Sequence, residues 1–276
     1  MRRRGWVLPV YTTIVLLYLF FPIAVMMLFG FNDIRGRFNF TWQGFTLEHW
    51  RNVFTIPELT LAIKNSLLIA AISTAVATTV GTMIALALTR YRFRGRGSTN
   101  MFIFLPMATP EVVLGASLLS LFVTAGVGRG LVTILIAHIM FNISYVVVTV
   151  KARTQGFNRE WEEAAKDLGA SPWTAFRTVT FPLIFPGVLA AAVLAFALSV
   201  DDYVITLFNA GATLTFPLWV VGASRFGVPA EVNVMGTLIF VVGAALAVGS
   251  VAIQRRSYRG AQPEELAPRV PSAAAG

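Results

Sequence analysis

The chain has 276 residues, of which 56% are hydrophobic and only 13% charged, with a formal net charge of +9. This composition excludes an ordinary soluble domain, and the lack of cysteine excludes disulfides, thiolate metal sites and cysteine catalysis. His49 and His138 are the only histidines, too few for a histidine metal cluster, so no metal or cofactor is expected.

Apolar residues fall in six blocks, roughly 8–30, 61–89, 101–124, 131–151, 183–208 and 232–253. Each is near the ~20 residues that cross a hydrocarbon core of about 30 Å. They predict an all-α, multi-pass integral membrane protein with short loops. The first block follows "MRRRGW" and imitates a signal peptide. It is too long for a typical apolar signal region and no A-x-A site follows, so it is expected to be retained as the first span. With a cytoplasmic N-terminus, six crossings return the C-terminus to the cytoplasm. Arg2, Arg3, Arg4, the arginines of 90–96, the basic residues of 151–177 and those after 254 then all lie inside. These are most of the 22 basic residues. The positive-inside rule accounts for this bias, and no nucleic-acid partner is needed.

The loop after span 1, "FGFNDIRGRFNFTWQGFTLEHWRNVF", is polar and aromatic. Trp42 and Trp50 suit a membrane interface, and the loop serves either as an anchor or as an external docking surface. Span 2 is rich in Ala, Ser, Thr and Gly, which predicts close packing inside the bundle. It ends in the basic turn "RYRFRGRG".

Span 3 opens with "MFIFLPMATPEVVLGASLL", interrupted at Pro106 and Pro110. Thr109 is expected to cap a restarted helix with Pro110 at its first position. Glu111 then lies about 15 Å into the span at the helical rise per residue. A carboxylate at a broken helix fits a transport site, and it also complements the positive end of the restarted helix. Span 4 carries His138 and Asn142 on one face, both expected to be satisfied within the bundle. His138 has no evident acid partner in the sequence, and no convergent nucleophile–base site for an intramembrane enzyme stands out.

Between spans 4 and 5, "REWEEAAKDL" predicts a short helix with Glu162 and Lys166 as an i, i+4 pair. Gly169 is placed to end it in a left-handed conformation. Ser171 caps a second helix with Pro172 at its first position, and Pro182 and Pro186 mark the passage into span 5. Residues 163–182, "EAAKDLGASPWTAFRTVTFP", resemble the EAA loop of permease subunits of binding-protein-dependent ABC importers. Glu163, Ala164, Ala165, Gly169, Val179, Phe181 and Pro182 fill that pattern at the right spacing, with Val and Phe as mild departures. The resemblance covers about residues 60–253.

It implies the six-helix permease fold of type I ABC importers in a bacterial inner membrane. It also implies a first helix and external loop over 1–60 and a core permease domain over 61–253 with its EAA loop at 160–182. The chain after 253 reads as a disordered cytoplasmic tail. The implied partners are a second homologous permease subunit, a dimer of ATPase subunits, an extracytoplasmic substrate-binding protein and membrane lipid. Glu163, Ala164, Ala165, Asp167 and Gly169 would carry the ATPase contact. The chain has no phosphate loop of the G-x-x-x-x-G-K-[ST] type, so it is not expected to be an enzyme, and ATP would be hydrolysed on another subunit.

More narrowly, "LPMATPEVVLGASLL", "LSVDDYVIT" and "GVPAEVNVMGTL" resemble the second permease subunit of spermidine/putrescine importers. Branches that import iron, thiamine, opines or aminoalkylphosphonates share similar strings. Polyamines are linear polycations, for which carboxylates and aromatic faces offset lost hydration. Glu111, Asp201, Asp202, Tyr203 and Trp219 are the pathway candidates, with Phe196 nearby. Asp201 and Asp202 stand in span 5 with no neighbouring Lys or Arg. Adjacent residues on a helix point about 100° apart, so the two cannot share one role without a break. Either one faces the pathway while the other meets a partner or caps an unwound turn, or span 5 ends earlier and both are wetted. An ion-coupled transporter or channel using the same carboxylates is the competing class.

Overall fold

The computed structural model describes residues 6–36, 38–155 and 160–260. Arg2, Arg3 and Arg4 and the tail beyond 260 lie outside the described residues. In chain order the helices are α1 (Val7–Phe29), α2 (Glu48–Arg51), α3 (Pro57–Arg90), α4 (Arg96–Ala108), α5 (Glu111–Thr124) and α6 (Leu131–Thr154). They continue with α7 (Glu160–Asp167), α8 (Pro172–Ala175), a π-helical turn (Phe176–Thr180), α9 (Phe181–Asp201), α10 (Val204–Asn209), α11 (Phe216–Ala223) and α12 (Ala230–Gly260). Extended pairing among the described residues is limited to two isolated bridges, Asn32 with Phe45 and Phe38 with Val228.

Helices α1, α3, α6, the run Pro172–Asp201 and α12 are each long and apolar enough to cross a membrane; α4 and α5 are so only together, bent by 107°. The six expected blocks are thus present, with three boundary differences. Span 5 begins at Pro172, and Pro182 and Pro186 lie inside the helical run. The π turn accounts for this: the Phe181 N–H donates to the Phe176 carbonyl, five residues back. The wider turn relieves the clash that the Pro182 ring would make with the carbonyl four residues before it. Span 5 also ends early, because Asp202 leaves the helix at φ −62°, ψ 118°. Helix α12 continues to Gly260, so the chain from 254 to 260 is helical where a disordered tail was expected.

The centre of the bundle is α3 against α6 and α9. Ala77, Ala85 and Leu88 meet Val146, Val147 and Val150, with Ala191 and Ala195 closing the cluster; all are buried. Small side chains on α3 and α9 permit the close approach expected of span 2. The restarted half-helices α5 and α10 pack on each other at Gly115. A Cβ there would come within 2.7 Å of the Phe208 ring, so the contact requires glycine. Leu118, Phe122, Ala137, Phe141 and Ile205 fill the space around them. The loop after α10 is tied back to α3: Asn65 Nδ2 donates to the Leu214 carbonyl at 2.8 Å, and the Phe216 N–H donates to Ser66 Oγ at 2.9 Å. Helix α1 buries none of its residues and leans on α12, where Met26 fills the space over Gly236.

Candidate functional site

The interruption between α9 and α10 has a local cause. The Asp202 carboxylate accepts hydrogen bonds from the Ile205 N–H (3.3 Å), the Thr206 N–H (2.7 Å) and the Thr206 hydroxyl (2.7 Å). These satisfy donors that the first turn of α10 would otherwise leave orphaned. The two carboxylates therefore part company. Asp201 is exposed and, with Tyr203 and Phe196, lines a cavity of about 600 Å³ between α9, α11 and α12. Most of the remaining wall is apolar, including Phe216, Val220 and Phe240.

Asp202, expected as a pathway candidate beside Asp201, turns into the bundle instead. Its side chain is 6% exposed and its Oδ2 lies 3.3 Å from His138 Nε2 on α6. It does not line the cavity. His138 Nδ1 is 2.7 Å from Ser199 Oγ, His138 Nε2 is 2.9 Å from Thr206 Oγ1, and Ser199 Oγ is 3.0 Å from Ser73 Oγ. A polar chain thus joins α3, α6, α9 and α10 inside the apolar core. His138 is satisfied within the bundle as expected, but by an acid partner that the sequence did not reveal. Asn142 differs from expectation: it is fully buried, and neither amide atom has a hydrogen-bond partner.

Glu111 is exposed and is the first residue of α5, at the 107° bend. Pro110, not Thr109, is the residue before the restarted helix. The Thr109 hydroxyl donates back to the Leu105 carbonyl at 2.7 Å and closes the end of α4. Glu111 lies within electrostatic reach of Tyr145 on α6. Trp219 packs against the cluster of Val53, Leu59, Ile63, Val234 and Met235, while its neighbours Pro217 and Val220 line the cavity. Two helices, α4 and α9, thus each stop beside an exposed carboxylate. Helix C-termini carry partial negative charge, so the end of α9, where Asp202 already caps the restarted helix, suits a cation, whereas Glu111 also faces the positive N-terminus of α5.

A second site is built on α7. Gly169 ends it at φ +88°, with the Gly169 N–H on the Lys166 carbonyl (2.8 Å) and the Ala170 N–H on the Ala165 carbonyl (3.0 Å). This is the left-handed closure that glycine favours. Ser171 Oγ accepts from the Thr174 N–H at 3.2 Å and starts α8. Glu163, Ala164, Asp167 and Gly169 are exposed, Ala165 is half-buried, and Leu168 is 90% exposed. Behind this outer face, Glu162 is clasped by Arg90 at the end of α3, by the Thr180 hydroxyl (3.1 Å) and by Lys166 (3.4 Å). Arg90 also donates to Thr180 at 3.0 Å. Burial pushes the Glu162 carboxyl up, but the Arg90 guanidinium, Thr180 and Lys166 outweigh it and hold it below its ordinary 4.5.

Arg90, Thr180 and the His138 network were missed in the sequence. Glu162 lies 72 residues from Arg90 and 18 from Thr180, Ser199 lies 61 from His138, and no short-range spacing signals these pairs. The Glu162–Lys166 pair, which obeys helical spacing, was visible.

A family model described as the inner membrane component of binding-protein-dependent transport systems matches residues 77–260. The chain is 38% identical over 259 residues to the spermidine/putrescine transport system permease protein PotC of Escherichia coli (strain K12), covering 94% of this chain and 96% of that protein. It is 35% identical over 243 residues to the putrescine transport system permease protein PotI of the same organism, covering 85% of each. Among solved structures it is similar to a bacterial ABC transporter involved in the import of alginate (TM-score 0.67, 15% identity, 94% of this chain and 98% of that chain). It is also similar to the MetNI methionine ABC transporter (TM-score 0.60, 17% identity, 72% of this chain and 95% of that chain).

Proposed function

Because the chain belongs to the family of inner membrane components of binding-protein-dependent transport systems, we propose that it is the permease subunit of a polyamine importer in which Asp201 and Glu111 attract the passing cation. The observation that carries this reading is the wall of the cavity at the end of α9. There an exposed carboxylate, an aromatic ring from Tyr203 and the negative end of a helix converge on a largely apolar space. A polyamine offers ammonium groups for the first and methylene segments for the second. Glu111 at the α4–α5 bend supplies a second acidic position. The names of the similar permeases, spermidine/putrescine and putrescine, agree with this chemistry.

In this reading the chain forms half of a pathway completed by a second, homologous permease. The exposed face of α7, with Glu163, Ala164, Ala165, Asp167 and Gly169, docks on a cytoplasmic ATPase dimer, and an extracytoplasmic binding protein delivers the substrate. Both termini face the cytoplasm. The ATPase contact is tested by co-purification. Wild-type protein is expected to bring down an ATPase subunit, and Gly169→Asp to lose it while remaining at normal level in the membrane. Undiminished co-purification with Gly169→Asp would overturn the docking role.

A further inference from the structure

The polar chain around Asp202 can be counted proton by proton. A hydroxyl has one hydrogen to give, and an imidazole has two only when it is cationic. The hydrogen of Thr206 is committed to Asp202 Oδ2. His138 Nε2, 2.9 Å from Thr206 Oγ1, must therefore be the donor in that bond. On the other side, the Ser73 hydroxyl donates to the Ala70 carbonyl. Ser73 can then only accept from Ser199, which commits the hydrogen of Ser199. His138 Nδ1, 2.7 Å from Ser199 Oγ, must then donate as well. Every hydrogen bond in the chain is made at once only when His138 carries a proton on both nitrogens. A neutral imidazole requires Ser199 to turn round and the Ser73–Ala70 bond to be given up.

We infer that His138 is an imidazolium and is the built-in counter-charge of Asp202, a buried ion pair that fixes the break between α9 and α10 and so sets Asp201 on the cavity wall. Several observations meet in this assignment. The His138 and Asp202 side chains are 3% and 6% exposed, so neither charge is balanced by water. The other groups hydrogen-bonded to the ring are Ser199 from α9 and Thr206 from α10, and behind Ser199 stands Ser73 from α3; none of them is ionisable. Asp201, the next carboxylate along the chain, faces the cavity instead. An isolated anion in a membrane interior is costly, and a partner that neutralises it removes most of that cost. Asp201 and Asp202 therefore differ in kind: Asp202 has its cation within the protein, whereas Asp201 is left for a cation from outside. His138 acts as a positioning residue and touches no substrate. The assignment does not depend on what the substrate is.

The chain contains only two histidines, so ¹⁵N-histidine NMR of the His49→Gln protein, labelled in this subunit alone and assembled with unlabelled partner subunits, reads His138 alone. The expected result at pH 7 is a ring with both nitrogens protonated, and loss of that signature in His49→Gln/Asp202→Asn. A ring with one unprotonated nitrogen in the folded complex would overturn the assignment. A second test uses substrate-stimulated ATP hydrolysis by the reconstituted complex, with spermidine and the binding protein as the probe. His138→Gln leaves the carboxylate unpaired and is expected to lower the rate by at least about tenfold. His138→Gln/Asp202→Asn removes both charges while the Asn oxygen can still accept from the α10 N–H groups, and is expected to recover to within about threefold of wild type. If the double variant is as poor as the product of the two single losses, the two residues are not a charge pair. If spermidine stimulates none of the variants or the wild type, the polyamine reading fails while the NMR result still decides the pair.

Discussion

Replacing Asp201 by Asn removes a charge from the cavity wall without touching the polar chain behind it. Polyamine transport is expected to fall by about tenfold, the scale of one lost charge-assisted contact, with thermal stability unchanged. Asp202→Asn weakens the cap of α10 and unbalances His138. It is expected to lower the melting temperature of the purified protein by a loss of at least about 1 kcal/mol. Thermal unfolding and uptake, measured on both variants, separate the two roles. Equal stability losses in the two would contradict the split. The split itself was legible in the sequence, since neighbours on a helix diverge by about 100°. Which residue turns inward was not, because it depends on a histidine and a serine brought in by two other stretches of chain, α6 and α3. Asn142 differs from expectation for the same reason: its type predicts a partner, but only the packing determines whether one arrives.

The short helix α7 was the most legible part of the chain, because its signals are local. Glycine at the end, serine and proline at the next start and a charge pair four apart need no tertiary partner to be recognised. Its clasp to α3 was not visible, as Arg90 read simply as one of several charges fixing topology. The pH dependence of that clasp follows from Glu162. Its carboxyl is held below 4.5 in the folded protein. The stabilisation is therefore fully present above that ordinary value and is lost as pH falls through the lowered one. The protection of the α7 amides, taken relative to intrinsic exchange at each pH, is expected to hold on acidification to about pH 4.5 and to fall below it. In Glu162→Gln the lower protection is expected already at neutral pH, with no further acid step. Span 5 starts at Pro172, before Pro182 and Pro186, and ends at Asp201, before its apolar run does. Prolines normally mark a helix boundary, and here a π turn carries the helix past them. An aspartate cap, which hydropathy does not register, stops it early.

Hydropathy alone recovered the five long apolar helices and the block that the bent pair α4 and α5 occupies, since about 20 apolar residues in a row have few alternatives to a bilayer. The bend between α4 and α5 was signalled by Pro106 and Pro110, although its angle was not. The arrangement of the bundle follows from small residues on α3 and α9, whereas α1 and much of α12 remain uncovered and must meet lipid or another subunit. The cavity beside Asp201 opens between α9, α11 and α12, a place that no linear pattern identifies. Uptake of radiolabelled spermidine into proteoliposomes holding this permease with its partner permease, ATPase and binding protein tests the proposed function most directly. ATP-dependent, saturable accumulation is expected with the wild type, cut by about tenfold in Asp201→Asn at equal protein level. Absence of spermidine accumulation while an uncharged or anionic solute is imported, or wild-type uptake in Asp201→Asn, would contradict it.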